Sequence, residues 1–147
     1  MTDLRTRATQ ALRNAGPDAV LTHHTALALF GCPAAEQAPV HILVPGRRRI
    51  RSQPGVVVHH GKITERDVET VYDLQVLALE PALADVLCRG RPPTALRCLD
   101  QAAARHPPDH RGHFTSRVAA CVQARADPRG RRRALSLLST TRQGPMP

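Results

Sequence analysis

The stretch "VHILVPGRRRIRSQPGVVVHH", residues 40–60, decides the fold, because two runs rich in β-branched residues enclose four arginines. Every second residue from Val40 to Val44 is apolar, which is the spacing of a strand with one buried face. Residues 55–60 predict the next strand. The segment between them is too long for a tight turn and is flanked by Pro45 and Pro54. We therefore expect an antiparallel pair with a projecting loop.

The pattern on either side of this stretch predicts an α+β fold. One helix spans residues 3–15 and ends at Gly16-Pro17, and a second begins at its cap Thr22 and ends at Gly31. A further strand pair, "DVETVY" and "LQVLAL", follows the central stretch, and from Glu80 the apolar spacing is helical. We expect two N-terminal helices, a small antiparallel sheet and a helical, basic C-terminal part.

The expected organisation is a core over residues 1–106 and a basic helical extension over residues 107–147. The end of that extension, "TTRQGPMP", is expected to fray. Its last helix is predicted from "PRGRRRALSLLS".

Net charge is +9, from twenty arginines and one lysine, and it is unevenly distributed. Residues 47–51 contribute +4 and residues 86–147 contribute +9, whereas residues 52–85 carry −4. Such a surplus is typical of proteins with polyanionic partners. Aromatic residues are nearly absent, which argues against stacking on single-stranded bases. The charge pattern favours the backbone of DNA as a partner.

The candidate nucleic-acid-binding residues form two clusters, one of Arg47, Arg48, Arg49 and Arg51, and one of Arg129, Arg131, Arg132 and Arg133. Guanidinium groups bind phosphates through paired hydrogen bonds. The helix before the loop has "THHT" where a recognition helix would present Arg, Asn or Gln, so we expect phosphate contacts without base reading. The alternative for each cluster is a solvated surface.

Histidines are the other residues that could form a site. The pairs His23-His24 and His59-His60, with His41, could in principle gather a metal ion. However, adjacent strand residues point to opposite faces, so only one of His59 and His60 shares a face with His41. Adjacent helical residues diverge by ~100°, and no carboxylate or cysteine stands at a usual ligand spacing. We therefore predict polar strand and cap positions and no metal site.

No catalytic constellation is present in the chain. Nucleophile-elbow patterns and glycine-rich phosphate loops are missing, so neither catalytic residues nor a cofactor are predicted. The four cysteines form no CxxC pair, and the N-terminus lacks the apolar segment of a signal peptide. No apolar run approaches the ~20 residues that a membrane span needs. We expect a cytoplasmic protein with reduced thiols and no membrane partner.

Four segments in order, "VLTHHTALALFGC", "APVHILVPGRRRIRSQPGVVVHHG", "DVETVYDLQVLALEPALADVLCRG" and "ADPRGRRRALSLLS", resemble a bacterial protein family. They are similar to the central segment of predicted AbiEi-type antitoxin or regulator proteins, over roughly residues 18–139. In the family's "VTSPARTLLDL"-like element this chain has "VLALEPALADVL", where Asp85 matches but Leu77 and Pro81 replace Thr and Arg. Fuller members resemble this chain flanked by a winged helix and a Vsr-like endonuclease domain. We expect both to be absent here, so no nuclease residue carries over.

Together, the residues and the resemblance predict a non-catalytic, DNA-associated regulatory or antitoxin-like module that contacts the backbone through the Arg47–Arg51 loop. Two alternatives stay open. One is the N-terminal half of a truncated Vsr-like endonuclease family protein. The other is a protein-binding module that holds a toxin or a nuclease-like chain, for which an exposed apolar strip would be the sign.

Overall fold

Six α-helices and a five-stranded mixed sheet make up the computed structural model, which describes residues 2–36 and 39–143. The α+β class predicted from the sequence is confirmed. The helices are α1 (Thr2–Ala15), α2 (His23–Leu29), α3 (Leu79–Arg89), α4 (Pro92–Ala103), α5 (Arg111–Ala124) and α6 (Arg131–Gln143). The strands are β1 (Val20–Leu21), β2 (Val40–Pro45), β3 (Val56–Gly61), β4 (Val68–Val71) and β5 (Leu74–Leu77).

Local signals in the sequence locate most of these elements. Thr22 stands at the N-cap position of α2 without a side-chain capping hydrogen bond, and Gly31 follows the end of the helix with φ +93°, a left-handed value that favours glycine. Helix α6 extends further than predicted, so residues 140–143 of the segment expected to fray are helical. The rest of that segment, residues 144–147, lies outside the described residues.

The strand order in the sheet is β3-β2-β1-β5-β4. Strand β1 lies at the centre, antiparallel to β2 and parallel to β5, although it has only two residues and was not predicted. Strands β4 and β5 form the expected antiparallel hairpin. Its turn residues, Tyr72 and Asp73, both have positive φ, as a two-residue type I′ turn requires.

The predicted antiparallel pairing of β2 with β3 is wrong, because these strands are parallel, with register Val40↔Val56 through Pro45↔Gly61. The sheet is therefore mixed. Residues 46–55, which we call the strap, return the chain from the end of β2 to the beginning of β3. Ten extended residues reach about 33 Å, enough to span the roughly 20 Å of a six-residue strand. The arginines at 47–51 thus lie on a crossover and not on a hairpin tip.

Helix α3 connects the two halves of the chain. Its residues Leu83, Val86 and Leu87 are fully buried, and α2, α4, α5 and α6 all pack against it. Phe114 of α5 and Ala134 of α6 belong to the same core, so the helices of the expected C-terminal extension contribute to it. In the part of the chain that the structure describes, no helix combines the length and apolar character of a membrane span.

Candidate functional site: the strap and the histidine cluster

Arg48 fastens the strap to the end of α1. Its Nη2 donates a hydrogen bond to the carbonyl of Ala15 at 2.6 Å and lies 2.6 Å from a carboxylate oxygen of Asp18. The last carbonyls of a helix have no partner within the helix, so a guanidinium there satisfies a group that would otherwise need water. Arg48 therefore acts as a structural anchor.

Two further contacts hold the strap in place. The side-chain amide of Gln53 donates to the carbonyl of Ala11 and accepts from Asn14 of α1. The His60 imidazole lies 3.0 Å from the carbonyl oxygen of Arg48. Both α1 and β3 thus limit the conformations that the strap can adopt.

The other three arginines of the strap point outward. Arg48 and Ile50 face the body of the protein, whereas Arg47, Arg49 and Arg51 are exposed and make no hydrogen bond or ion pair with the described residues. No acidic residue occurs between Glu36 and Glu65 in the sequence, while that interval holds five basic ones. The strap presents three unpaired guanidinium groups from an anchored segment.

The C-terminal arginine cluster is used differently. Arg129 forms a two-pronged ion pair with Asp127, whose pKa its hydrogen bonds lower. Arg131 donates to the carbonyl of Arg125 at 2.8 Å. Arg133 donates to the carbonyls at the end of α3, those of Leu87 and Gly90. Within the described residues Arg132 is exposed and makes no such contact.

Four histidines from three elements come together on one side of the sheet. We call His23 and His24 of α2, His41 of β2 and His59 of β3 the histidine cluster. The rings of His23 and His59 stack with centroids 3.9 Å apart and planes 9° apart, and His41 Nδ1 lies 3.0 Å from His59 Nε2. The His24 and His41 ring centroids are 5.3 Å apart.

Strand register explains which histidines of β2 and β3 meet. His59 pairs with Leu43, so it shares a face of the sheet with His41, and His60 points to the opposite face. This confirms that only one of the two adjacent histidines joins His41. The backbone amide of His41 donates to Thr25 Oγ1, which fixes β2 against α2.

The prediction that His23 and His24 diverge by a helical step does not hold. His23 has φ +51°, so its backbone departs from helical geometry just where α2 begins. Both rings therefore reach the cluster. The sequence gives no sign of this, because left-handed φ values are unusual for residues other than glycine.

The cluster is electrically neutral at pH 7. Burial, and then the neighbouring histidines, lower the pKa of His23 to about 2 and that of His41 to about 4. Burial also lowers the pKa values of His24 and His59. Neutral imidazoles each keep one nitrogen lone pair available to a proton donor or a metal ion.

A carboxylate stands beside the cluster. Asp85 Oδ2 lies 4.0 Å from His23 Nε2, and Asp85 Oδ1 accepts a 2.9 Å hydrogen bond from Arg125. Burial raises the pKa of Asp85, and the Arg125 guanidinium opposes that rise. Asp85 thus occupies the place of an outer carboxylate behind His23.

His23, His24 and His41 have the proximity of a metal-ligand set. One potential ligand nitrogen from each lies within 4.8 Å of the other two. His24 is only 7% exposed, and its Nδ1 has no hydrogen-bond partner in the described structure. The sequence predicted polar strand and cap positions here, and the grouping is what that prediction missed.

Other kinds of site find less support among the described residues. The cysteines are free, and burial raises their pKa values, that of Cys98 to about 12, which makes them poor nucleophiles. The large exposed hydrophobic residues of the described chain, Val57 and Tyr72, lie on β3 and on the β4–β5 turn, at opposite ends of the strand order. They form no apolar strip.

Comparisons with known proteins show similarity of fold. No protein-family model matches the chain, and no curated protein matches it. Among solved structures, it is similar to the RV2827C protein from Mycobacterium tuberculosis, with a TM-score of 0.51 and 16% sequence identity. The match covers 92% of this chain and 56% of that one. At this identity the likeness concerns the fold alone.

Proposed function

We propose that this chain is a non-catalytic, DNA-associated module of regulatory or antitoxin-like function. It contacts duplex phosphates through Arg47, Arg49 and Arg51. The observation that carries the proposal is the set of three exposed, unpaired guanidinium groups on the anchored strap.

Anchoring favours binding because less conformational freedom is lost when the complex forms. Arg48 and Gln53 hold the strap on α1, so the outward arginines are presented from a defined backbone. Guanidinium groups without carboxylate partners need not break an ion pair before they meet a phosphate. Neutralising three phosphates would contribute about 2.7 units to the dependence of log K on log salt.

The C-terminal cluster has a smaller role in this proposal. Arg131 and Arg133 already donate to backbone carbonyls, and Arg129 is paired with Asp127. Arg132 is left as an accessory phosphate contact. A cytoplasmic location is part of the proposal, since DNA is present there and free thiols stay reduced.

The test is a fluorescence-anisotropy titration of a generic duplex over a salt series. The variant R47A/R49A/R51A removes the outward arginines and keeps the Arg48 anchor. We expect the salt slope of binding to fall by two units or more, because each lost phosphate contact removes nearly one unit.

The matched control is R89A/R91A/R97A, which removes the same charge from exposed arginines elsewhere whose side chains make no hydrogen bond or ion pair with the described residues. It should keep nearly the wild-type slope. An equal fall of the salt slope in both triple variants would mean that net charge alone explains the effect. Absence of wild-type binding would contradict the proposal and favour a toxin or nuclease-like partner chain.

A further inference from the structure

We propose that the histidine cluster binds one divalent transition-metal ion of the Zn²⁺ class, with His23, His24 and His41 as ligands. His59 is a positioning residue for His41. This site is separate from the strap arginines, and its existence does not depend on DNA binding.

The ligand type and number fit such an ion. Neutral imidazole is a preferred ligand of Zn²⁺, Ni²⁺ and Cu²⁺, and three histidines form a known zinc ligand set that leaves one position for water or another ligand. With Zn–N bonds of about 2.0–2.1 Å, a tetrahedral site places its nitrogens about 3.4 Å apart. The three nitrogens here lie within 4.8 Å of one another, so ring rotations that shorten these distances by about 1.4 Å or less would complete the site.

The surroundings of the ligands fit as well. Metal-bound histidines usually give their second ring nitrogen to a carboxylate or another acceptor, which fixes the tautomer. His41 Nδ1 lies 3.0 Å from His59 Nε2, so His59 would orient the His41 ring. Asp85, held by Arg125, stands 4.0 Å from His23 Nε2, and a small approach would let it accept a hydrogen bond from that nitrogen.

Two features lack an explanation in a purely structural role. His24 is buried, yet its Nδ1 has no hydrogen-bond partner among the described residues, although buried polar atoms are normally satisfied. His23 adopts φ +51°, a conformation that L residues avoid and that is concentrated at functional sites. A metal ion would use the free nitrogen of His24 and would account for the unusual backbone of His23.

The experiment uses the full chain, stripped of metal with a chelator and titrated with Co²⁺ as a spectroscopic substitute for Zn²⁺. We expect one equivalent to bind, with the intense visible bands of a low-coordinate Co²⁺ site, and Zn²⁺ to abolish those bands. H24Q and H41Q should each weaken binding by at least about tenfold, and H59Q by about 10- to 100-fold, the usual loss for an outer partner. H60Q, on the opposite face of β3, is the matched control and should bind as the wild type does.

A second measurement on the wild type guards against variants that fail to fold. Long-range ¹H–¹⁵N spectra of the histidine rings should show Zn²⁺ shifting the ligand nitrogens of His23, His24 and His41, and thermal unfolding should move to higher temperature. Shifts confined to the exposed His110 and His113, or weak Co²⁺ bands typical of six-coordinate water, would overturn the proposal. Equal losses in H60Q and H24Q would also overturn it.

Discussion

Residues 47–51 and residues 129–133 each hold four arginines and a neighbouring glycine with left-handed φ, Gly46 and Gly130. In the strap, three of the four guanidinium groups face solvent, whereas the C-terminal cluster leaves only Arg132 without a described partner. The strap passes the C-terminal end of α1, where the carbonyl of Ala15 accepts a hydrogen bond from Arg48. The C-terminal cluster lies beside the ends of both α3 and α5, where more carbonyls need donors.

This difference shows that the groups around an arginine run decide which of its guanidinium groups are bound within the protein and which face solvent. In both segments, carbonyls at helix ends or a nearby carboxylate bind some of the guanidinium groups, and only the remainder is available to a partner. Two identical-looking runs therefore have different expected sensitivities to mutation.

The largest effect is expected at Gly130, and Gly46 is its matched comparison. A Cβ on Gly130 would lie 1.9 Å from the carbonyl oxygen of Cys88, whereas a Cβ on Gly46 meets nothing within 4 Å. G46A should cost about 1–2 kcal/mol, the price of a left-handed alanine. G130A adds a backbone clash, so its total cost should be about 3 kcal/mol or more. Urea denaturation measures both, and equal losses would contradict the close packing of α6 on α3.

A smaller effect is expected from the arginine that caps α3. R133A leaves the carbonyls of Leu87 and Gly90 without their donor, and we expect it to lower the free energy of unfolding by about 2 kcal/mol. R132A removes an exposed guanidinium next to it and should change stability by no more than about 0.5 kcal/mol. Thermal or urea unfolding measures both variants. A larger loss of stability in R132A than in R133A would contradict the capping role of Arg133.

Lowering the pH should change stability through the histidine cluster and not through the two arginine segments, because arginine stays charged throughout. Below pH 6.5 the unfolded chain binds protons on its histidines, while burial keeps folded His41 neutral to about pH 4 and His23 to about pH 2. The unfolded state then binds more protons, so stability falls as pH drops from 6.5 towards 4. Each such histidine contributes about 1.4 kcal/mol per pH unit.

Urea midpoints measured in chelator between pH 7 and pH 4 test this expectation. H41Q should reduce the pH dependence of the free energy of unfolding by about 1.4 kcal/mol per pH unit, because one proton fewer is taken up on unfolding. A free energy of unfolding that does not change over this pH range would exclude buried neutral histidines.

The smallest effects on stability are expected from the arginines of the strap. R48A removes the bond to Ala15 and the partly exposed pair with Asp18, and should cost about 1 kcal/mol after allowance for solvent screening. The free energy of unfolding of R47A/R49A/R51A should stay within about 0.5 kcal/mol of the wild-type value, since these side chains make no hydrogen bond or ion pair with the described residues. Chemical denaturation in parallel would show a structural role for the outward arginines if the triple variant lost more than R48A.

Helix positions and the β4–β5 hairpin could be predicted because caps, apolar spacing and turn residues act within a few residues of each other. The direction of β3 could not, since an alternating pattern reads the same whether a strand runs parallel or antiparallel to its neighbour. Strand β1 has two residues, too few for any periodic pattern. The crossover is held by tertiary contacts such as that of Arg48 with Ala15 of α1, which no local sequence pattern reveals.

The candidate sites were predictable to a different extent. The strap arginines were identified from sequence, but which of them face outward depends on Arg48 and Ile50 facing the body of the protein. The strand part of the histidine cluster followed from alternation. Its helical part did not, because the left-handed backbone of His23 has no signature in an ordinary sequence pattern.

The two-residue strand β1 has a consequence for the order in which the chain folds. Leu21 pairs with Val76, 55 residues further along the chain, so the centre of the sheet cannot close until that segment has left the ribosome. If β1 pairs with β2 before then, its other edge has no partner strand until β5 emerges. An unpaired strand edge can pair with a strand of another chain. We therefore expect the nascent chain to be most prone to aggregation just before β5 emerges.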